Sequence, residues 1–143
     1  MKATVESIGK VGSQVRIGNH TLTFDQPAEV PGGEGRGPSP LDVMVASVAA
    51  CAHYFASAFL YGRGLPTDGL TVDVTSTKAT TPVPRVEHLT LAVRVPVPLT
   101  DTQRVGIERA IRRCPAYGTL TQALTIDLTL DIAAAPAAER KSA

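Results

Sequence analysis

The chain has 143 residues, 43% of them hydrophobic and 4% aromatic, and it contains no tryptophan. This length fits a single domain, and the composition requires an aliphatic core built from valine, leucine, isoleucine and alanine. The formal net charge is +1 and no basic stripe runs along any segment, which argues against nucleic acid as a partner.

Residues 1–6 show no apolar stretch behind a basic start, so no secretion signal is indicated and the expected compartment is the cytoplasm. A first strand is predicted to open at residues 3–5, followed by a glycine-rich turn at 9–13. Residues 15–17 and 22–24 together predict a second strand, interrupted by a Gly-Asn pair.

Residues 27–38 are rich in glycine and proline and predict a loop. Their glycines do not match a dinucleotide-binding fingerprint, so ordinary turn chemistry is the simpler interpretation. The next residues predict the start of a helix, because Ser39 can cap it, Pro40 suits its first position, and Asp42 completes an S-x-x-D box. The helix is expected to stop at 62–66.

This helix carries almost no charge along VMVASVAACAHYFASAFLYGR. A helix that is apolar on every face is expected to be buried on every face, here as a central helix wrapped by a sheet or by a partner subunit. The segment is too polar and too rich in small residues to predict a membrane span, so no membrane partner is expected.

Apolar and polar residues alternate in three later segments, at 70–75, 89–97 and 124–132. Each segment predicts a strand with one buried and one solvated face, and therefore an antiparallel sheet. Pro96 indicates that the second of these strands ends at a sheet edge.

A second helix is predicted to begin at Thr100, which opens a T-x-x-Q capping box. Cys114 lies on the apolar face of this helix, and the proline that follows it disfavours helical geometry there. Residues 133–143 consist of alanine, proline and charged residues and predict a flexible tail. The expected organisation is one domain over residues 1–132.

The two cysteines are the candidate functional residues. Cys51 lies in the middle of the long helix and Cys114 at the end of the second one, so both are expected to point into the core. Two inert core residues, a redox pair and half of a metal site are all compatible with that placement. A metal site is disfavoured because no C-x-x-C motif is present and His53, two residues after Cys51, points elsewhere on a helix.

Peroxide chemistry needs a thiolate, a nearby cation or hydrogen-bond donor, and partial access. The thiolate attacks the O–O bond and becomes a sulfenic acid, and a second thiol then condenses with it to a disulfide. One cysteine deep in a helix and one at a helix end are compatible with this division of labour.

Two motifs resemble the OsmC/Ohr family. GRGPSPLDVMVASVAACAHYFASAFLYGRGL is similar to the family's central segment, and RRCPAYGTL to its second signature, so the resemblance covers about residues 3–132. It implies an α+β fold and an intertwined homodimer whose antiparallel sheets wrap around long central helices, with active sites at the dimer interface.

The resemblance also implies thiol-dependent reduction of hydroperoxides, which are organic in the Ohr branch. Cys51 would be the peroxidatic residue and Cys114 the resolving one. No metal or other cofactor is implied, and the reductant would be an external dithiol, such as a lipoylated protein, or a small thiol.

The chain departs from the Ohr branch at two supporting positions. That branch has a glutamate ten residues before its first cysteine, whereas this chain has leucine there and Asp42 nine residues before Cys51. Nine residues place Asp42 on the opposite face of the helix, which favours its capping role. The branch's arginine aligns approximately with Lys10, and Arg16 and Arg36 are alternative cations. These departures predict a general OsmC-like protein rather than a strict Ohr enzyme.

Two other functions remain as hypotheses. One is a dimeric scaffold that binds a small apolar ligand, with both cysteines serving as packing. The other is a thiol redox sensor that passes its disulfide to a partner without peroxidase turnover.

Overall fold

A computed structural model describes residues 1–122 and 124–130, and it has two antiparallel sheets and three helices. The strands are β1 (Ala3–Ser7), β2 (Ser13–Ile17), β3 (His20–Phe24), β4 (Thr71–Ala79) and β5 (Arg85–Arg94). The helices are α1 (Pro40–Tyr61), α2 (Asp101–Arg112) and α3 (Pro115–Thr121). The mixed α+β architecture expected from the sequence is confirmed.

The N-terminal sheet has three strands in the order β1–β2–β3, where the sequence predicted two. Ile17 pairs with His20, so Gly18 and Asn19 form a two-residue hairpin turn. Gly18 has a φ of 57°, in the left-handed region that such turns require and glycine readily adopts. The Gly-Asn pair therefore reverses the chain instead of interrupting one strand.

The predicted start of α1 is confirmed. The Oγ of Ser39 accepts a hydrogen bond from the backbone N–H of Asp42 at 3.2 Å and donates one to its carboxylate at 2.7 Å. The helix ends at Tyr61, and the N–H of Gly62, which follows it, donates to the carbonyl of Ala58 at 3.0 Å. A side-chain cap satisfies one of the amides that a helix start leaves without a partner.

The expectation that α1 is buried on every face is wrong for the single chain. One side of the helix is buried, whereas Ala50, Tyr54, Ala58 and Tyr61 lie exposed along the other. The elements of one chain cover only one side of a straight helix. By length and composition α1 also meets the criterion for a membrane span, contrary to expectation. The core helices of other proteins meet the same criterion, and α1 packs against β4 and α2.

The core lies where α1, α2 and the start of β4 meet. Its buried residues are Ala56, Phe59, Leu60, Leu70 and Ile107. Gly106 allows α2 to approach α1, because a Cβ at this position would lie 2.6 Å from a ring carbon of Phe59. The second sheet packs against the same cluster through partly buried side chains of β5 and the segment after it.

The second sheet pairs β4 with β5 in antiparallel register, with Val72 opposite Val93. β5 ends at Arg94, three residues earlier than the alternation predicted, just before Pro96, which lacks the N–H that a ladder needs. The capping box of α2 is confirmed: Thr100 Oγ1 accepts from the N–H of Gln103 at 3.2 Å and the reciprocal bond is 2.9 Å.

Residues 124–130 were predicted to form a strand, but they have no regular secondary structure in the chain. Their apolar side chains are exposed, including Ile126 and Leu128. A strand also needs the edge of a sheet to pair with and an apolar surface to pack against, and the alternation of apolar and polar residues supplies neither. The last two residues of the predicted strand, 131 and 132, and the predicted tail at 133–143 lie outside the described residues.

Candidate functional site

A disulfide joins Cys51 and Cys114, which are 63 residues apart in the chain. Their Cα atoms lie 5.9 Å apart, within the usual range for a disulfide. Cys51 lies in the middle of α1, and Cys114 follows the end of α2. The packing of α2 and α3 against α1 therefore brings the two predicted functional residues within bonding distance.

Cys114 lies between α2 and α3 and is 1% exposed. Its φ of −57° and ψ of 124° leave the helical region, as expected for a residue before proline. It is also the N-cap of α3, because its Sγ accepts a hydrogen bond from the backbone N–H of Tyr117 at 3.5 Å.

The sequence prediction missed α3 and the position of Tyr117. The signal was present, because proline is favoured at the first position of a helix and Pro115 occupies it. Tyr117 is anchored from α2: its hydroxyl oxygen accepts a hydrogen bond from Arg112 at 3.1 Å, and Arg112 in turn pairs with Glu108 at 2.8 Å. Glu108 raises the pKa of Arg112 by hydrogen bonding to its guanidinium.

Cys51 is half-buried and lies between the exposed Ala50 and the buried Ala52. Ser47 lies one turn before it, a spacing that places the two residues on the same face of the helix. Its hydroxyl, however, donates to the carbonyl of Met44 at 2.7 Å. The hydroxyl proton of Ser47 is therefore used in a bond within the helix, as is common for serines in helices.

An apolar cavity of about 500 Å³ lies between the first half of α1, β5 and α3. Met44 and Val48 line it from α1, seven and three residues before Cys51, so they share the face of the helix on which Cys51 lies. Tyr117 lines it from α3, three residues after Cys114. The cavity is therefore bounded by α1, which carries Cys51, and by α3, whose N-cap is Cys114.

Arg36 is held in the N-terminal part of the molecule. Its Nε donates to the carboxylate of Asp25 at 3.1 Å, and its two terminal nitrogens donate to the carbonyls of Ile8 and Gly9, each at 3.0 Å. Gly12 makes room for the guanidinium, since a Cβ there would lie 2.2 Å from it. Arg36 thus ties the loop before α1 to the turn between β1 and β2.

Asp25 is the buried partner of this arginine, with 1% of its surface exposed. Besides the guanidinium, the backbone N–H groups of Gln26, Glu34 and Arg36 donate to its carboxylate. Burial by itself raises the pKa of Asp25, but the hydrogen bonds from Arg36 and from these amides outweigh it and hold the pKa below its ordinary value. Sequence reasoning did not single out Asp25, because nothing local marks a lone aspartate as buried.

The other candidate side chains also have partners. Lys10 pairs with Glu34 at 2.8 Å and lowers the pKa of that carboxyl, and Arg16 pairs with Glu6. Asp42 is engaged in the cap of α1, as expected. Any role of these residues beside Cys51 stays a prediction. Within residues 1–122 and 124–130, no three histidine, cysteine, aspartate or glutamate side chains cluster so as to hold a metal ion.

Residues 33–129 match the family model described as OsmC-like protein, which spans both cysteines and more than half of the chain. No curated protein matches the sequence at a significant level.

Solved structures share the fold at low sequence identity. A protein from Psychrobacter arcticus, described as an osmotic stress induced and detoxification response protein, is 21% identical, with a TM-score of 0.73 over 83% of this chain and 87% of its own. An OsmC-like protein from Mycoplasma pneumoniae is 21% identical, with a TM-score of 0.71 over 84% and 86%. An organic hydroperoxide resistance protein from Legionella pneumophila is 16% identical, with a TM-score of 0.63 over 83% and 87%.

Proposed function

Because the chain belongs to the family of OsmC-like proteins, we propose that it is a thiol peroxidase that reduces hydroperoxides with two cysteines. Cys51 attacks the O–O bond as a thiolate, which releases an alcohol and leaves a sulfenic acid on its sulfur. Cys114 then condenses with that sulfenic acid, which releases water and forms the disulfide. An external dithiol, of the lipoyl type, or a small thiol returns both cysteines to the reduced state.

The observation that carries this proposal is the disulfide between Cys51 and Cys114. Two cysteines that serve only as packing need not meet, whereas the resolving step requires the sulfurs to come within bonding distance. The half-buried position of Cys51 and the burial of Cys114 support the assignment of the attacking and resolving roles.

The apolar cavity supports an organic hydroperoxide as the substrate. It is lined from α1 by apolar side chains on the face that carries Cys51, among them Met44 and Val48. Apolar walls favour an alkyl or aryl group over water, so a substrate with such a group gains binding energy that hydrogen peroxide cannot. The name of the Legionella relative, an organic hydroperoxide resistance protein, supports the same substrate class.

We further propose that the protein works as a cytoplasmic homodimer. The exposed face of α1 carries Ala50, Tyr54, Ala58 and Tyr61, which are small or aromatic and uncharged. In the described part of the chain, the extensive contacts of β1, β2 and β3 are those among themselves. In a homodimer, apolar side chains of the second copy would pack against the exposed face of α1 and against the sheet of β1, β2 and β3.

The test is to add one equivalent of cumene hydroperoxide to the reduced protein and to identify the products by mass after thiol blocking. The wild type is expected to form the intrachain Cys51–Cys114 disulfide and to turn over when a dithiol is supplied. Cys51→Ser is expected to abolish peroxide consumption. Cys114→Ser is expected to complete one turnover and then to over-oxidise at Cys51. Equal peroxide clearance by the wild type and Cys51→Ser would refute the proposal.

The same experiment separates the two other functions. The apolar cavity favours a ligand-binding scaffold as the second candidate, and that function predicts two thiols that do not react with peroxide. A redox sensor predicts rapid disulfide formation without turnover by any dithiol.

A further inference from the structure

The two sulfurs of the disulfide are not equivalent in the fold. Cys51 is half-buried on α1, whereas Cys114 is 1% exposed. In addition, Cys114 Sγ accepts a hydrogen bond from the N–H of Tyr117 at 3.5 Å. A thiolate that reduces a disulfide must choose one sulfur to attack and must expel the other, so this asymmetry has a chemical consequence.

We propose that reduction proceeds in one direction: the incoming thiolate attacks Sγ of Cys51 and expels Cys114 as the leaving thiolate. The inference rests on the proposed function in so far as it assigns the external dithiol as the reductant. The attack forms a bond between the reductant sulfur and Cys51 and breaks the bond between Cys51 and Cys114. The electron pair of the broken bond leaves on Cys114.

The second thiol of the reductant completes the reaction. It attacks the reductant sulfur bonded to Cys51, so the dithiol leaves as a disulfide and Cys51 is released. The two protons of the dithiol end on Cys51 and Cys114, and its two electrons reduce the protein disulfide. No metal and no other redox carrier takes part in this balance.

Access is the first reason for this direction. The incoming sulfur must reach one sulfur of the disulfide from the side opposite the other, and Cys114 is enclosed by its surroundings. An attack on Cys114 would require α3 or the end of α2 to move away. Cys51 is only half-buried in the single chain, so an attack on it requires less movement than an attack on Cys114.

The second reason is the stabilisation of the leaving group. A thiol whose thiolate is stabilised leaves faster from a disulfide, and an N–H donor stabilises the thiolate more than the thiol. The N–H of Tyr117 already points at Cys114 Sγ in the disulfide, so the donor is in place when the charge develops. The bond from Arg112 to the Tyr117 hydroxyl helps to hold this first turn of α3 in position.

The test maps the sulfur that is attacked. Oxidised wild-type protein, prepared with diamide so that no peroxide is involved, is mixed with glutathione, quenched with acid at short times and digested for peptide mass mapping. The proposal predicts at least ten times more glutathione on the Cys51 peptide than on the Cys114 peptide. Equal labelling, or an excess on Cys114, would overturn it.

A matched control repeats the mapping in concentrated urea. Unfolding removes the difference in access and the Tyr117 hydrogen bond, so the preference is expected to disappear. A preference that persists in urea would show that the fold does not set the direction, and it would overturn the proposal. Because the disulfide is made without peroxide, a chain that lacks peroxidase turnover still gives the map, and the two proposals can fail separately.

Discussion

The carboxylate of Asp25 organises the segment that leads into α1. It accepts hydrogen bonds from the backbone at Gln26, Glu34 and Arg36 and from the Arg36 side chain. An ionised carboxylate is purely an acceptor, whereas protonation turns part of it into a donor, so these donors are satisfied best while Asp25 carries its charge. The charge of one side chain therefore holds the glycine-rich loop in a defined conformation.

This arrangement predicts a dependence of stability on pH. The hydrogen bonds hold the pKa of Asp25 below its ordinary value of 3.8 in the folded protein. A lowered pKa contributes stability that is present in full above the unfolded value and is lost as the pH falls through the folded one. Asp25→Asn is therefore expected to melt at a lower temperature than the wild type at neutral pH, and the difference is expected to shrink below about pH 4.

The measurement is the melting temperature of both proteins between pH 2.5 and 7, with Asp73→Asn as the control. Asp73 also pairs with an arginine, Arg94, but both side chains are more than half exposed. Exposed pairs contribute little, so this control is expected to melt close to the wild type at every pH. A difference between Asp25→Asn and the wild type that stays constant down to acid pH would contradict the assigned role.

At the scale of elements, the close approach of α2 to α1 determines where Cys114 lies relative to Cys51. Gly106 permits this approach because the ring of Phe59 occupies the space that a Cβ would need. Three of the residues around this contact, Phe59, Leu60 and Ile107, are buried in the core. The contact thus connects core packing to the geometry of the disulfide.

Gly106→Ala is expected to destabilise the protein. Alanine is more favourable than glycine within a helix by about 1 kcal/mol. Overpacking a close core contact, however, typically costs about 1–3 kcal/mol. The Cβ of an alanine here would lie 2.6 Å from the Phe59 ring, so we expect a cost in the upper part of that range. The net loss is expected to be about 1–2 kcal/mol in the free energy of unfolding, measured with urea.

Gly118 is the matched control. It lies within α3, and a Cβ there would meet nothing within 4 Å. Gly118→Ala is therefore expected to be neutral or to stabilise the protein by up to about 1 kcal/mol through helix propensity alone. A Gly106→Ala variant that is neutral or stabilised, like the control, would show that the Phe59 contact is not tight.

The boundaries of elements were predictable where a short motif determines them. The boxes that begin with Ser39 and Thr100 form as predicted, because a cap joins residues three positions apart and needs no distant partner. The end of β5 and the short helix α3 were not predicted. The end of β5 depends on Pro96, whose effect competes with the apolar alternation. The start of α3 depends on Pro115, whose effect competes with that of a turn.

At the scale of the whole molecule, the exposed apolar surfaces have a direct consequence. Tyr54 and Tyr61 are 65% and 82% exposed on α1, in a helix that carries almost no charge. Several apolar residues of segment 124–130 are exposed as well. Exposed apolar surface of this kind is typical of interfaces, and the proposed homodimer would cover it.

A charge on the exposed face of α1 is expected to disrupt the dimer. Tyr54→Arg leaves the core of the single chain intact, since Tyr54 is mostly exposed, but it would place a charge in the proposed interface. Analytical ultracentrifugation is expected to show a dimer for the wild type and a monomer for Tyr54→Arg. Val105→Arg, on the exposed side of α2, is the control and is expected to remain a dimer. A monomeric wild type, or a dimeric Tyr54→Arg, would contradict the proposal.

The amino-acid sequence by itself determined the two capped helices, because local motifs and periodicity carry them, and two of its motifs resemble a family that implies the α+β class. It also placed both cysteines on elements that face the core. The direct bond between Cys51 and Cys114 could not be derived from their spacing, since 63 intervening residues allow many separations.

Only the tertiary structure decided which groups meet. It joined the two cysteines through the packing of α1 with α2 and α3, and it paired Arg36 with the buried Asp25. It also showed that one face of α1 is exposed in the single chain. These properties depend on contacts between distant segments, whose geometry follows from the packing of the whole chain and leaves no trace in local periodicity.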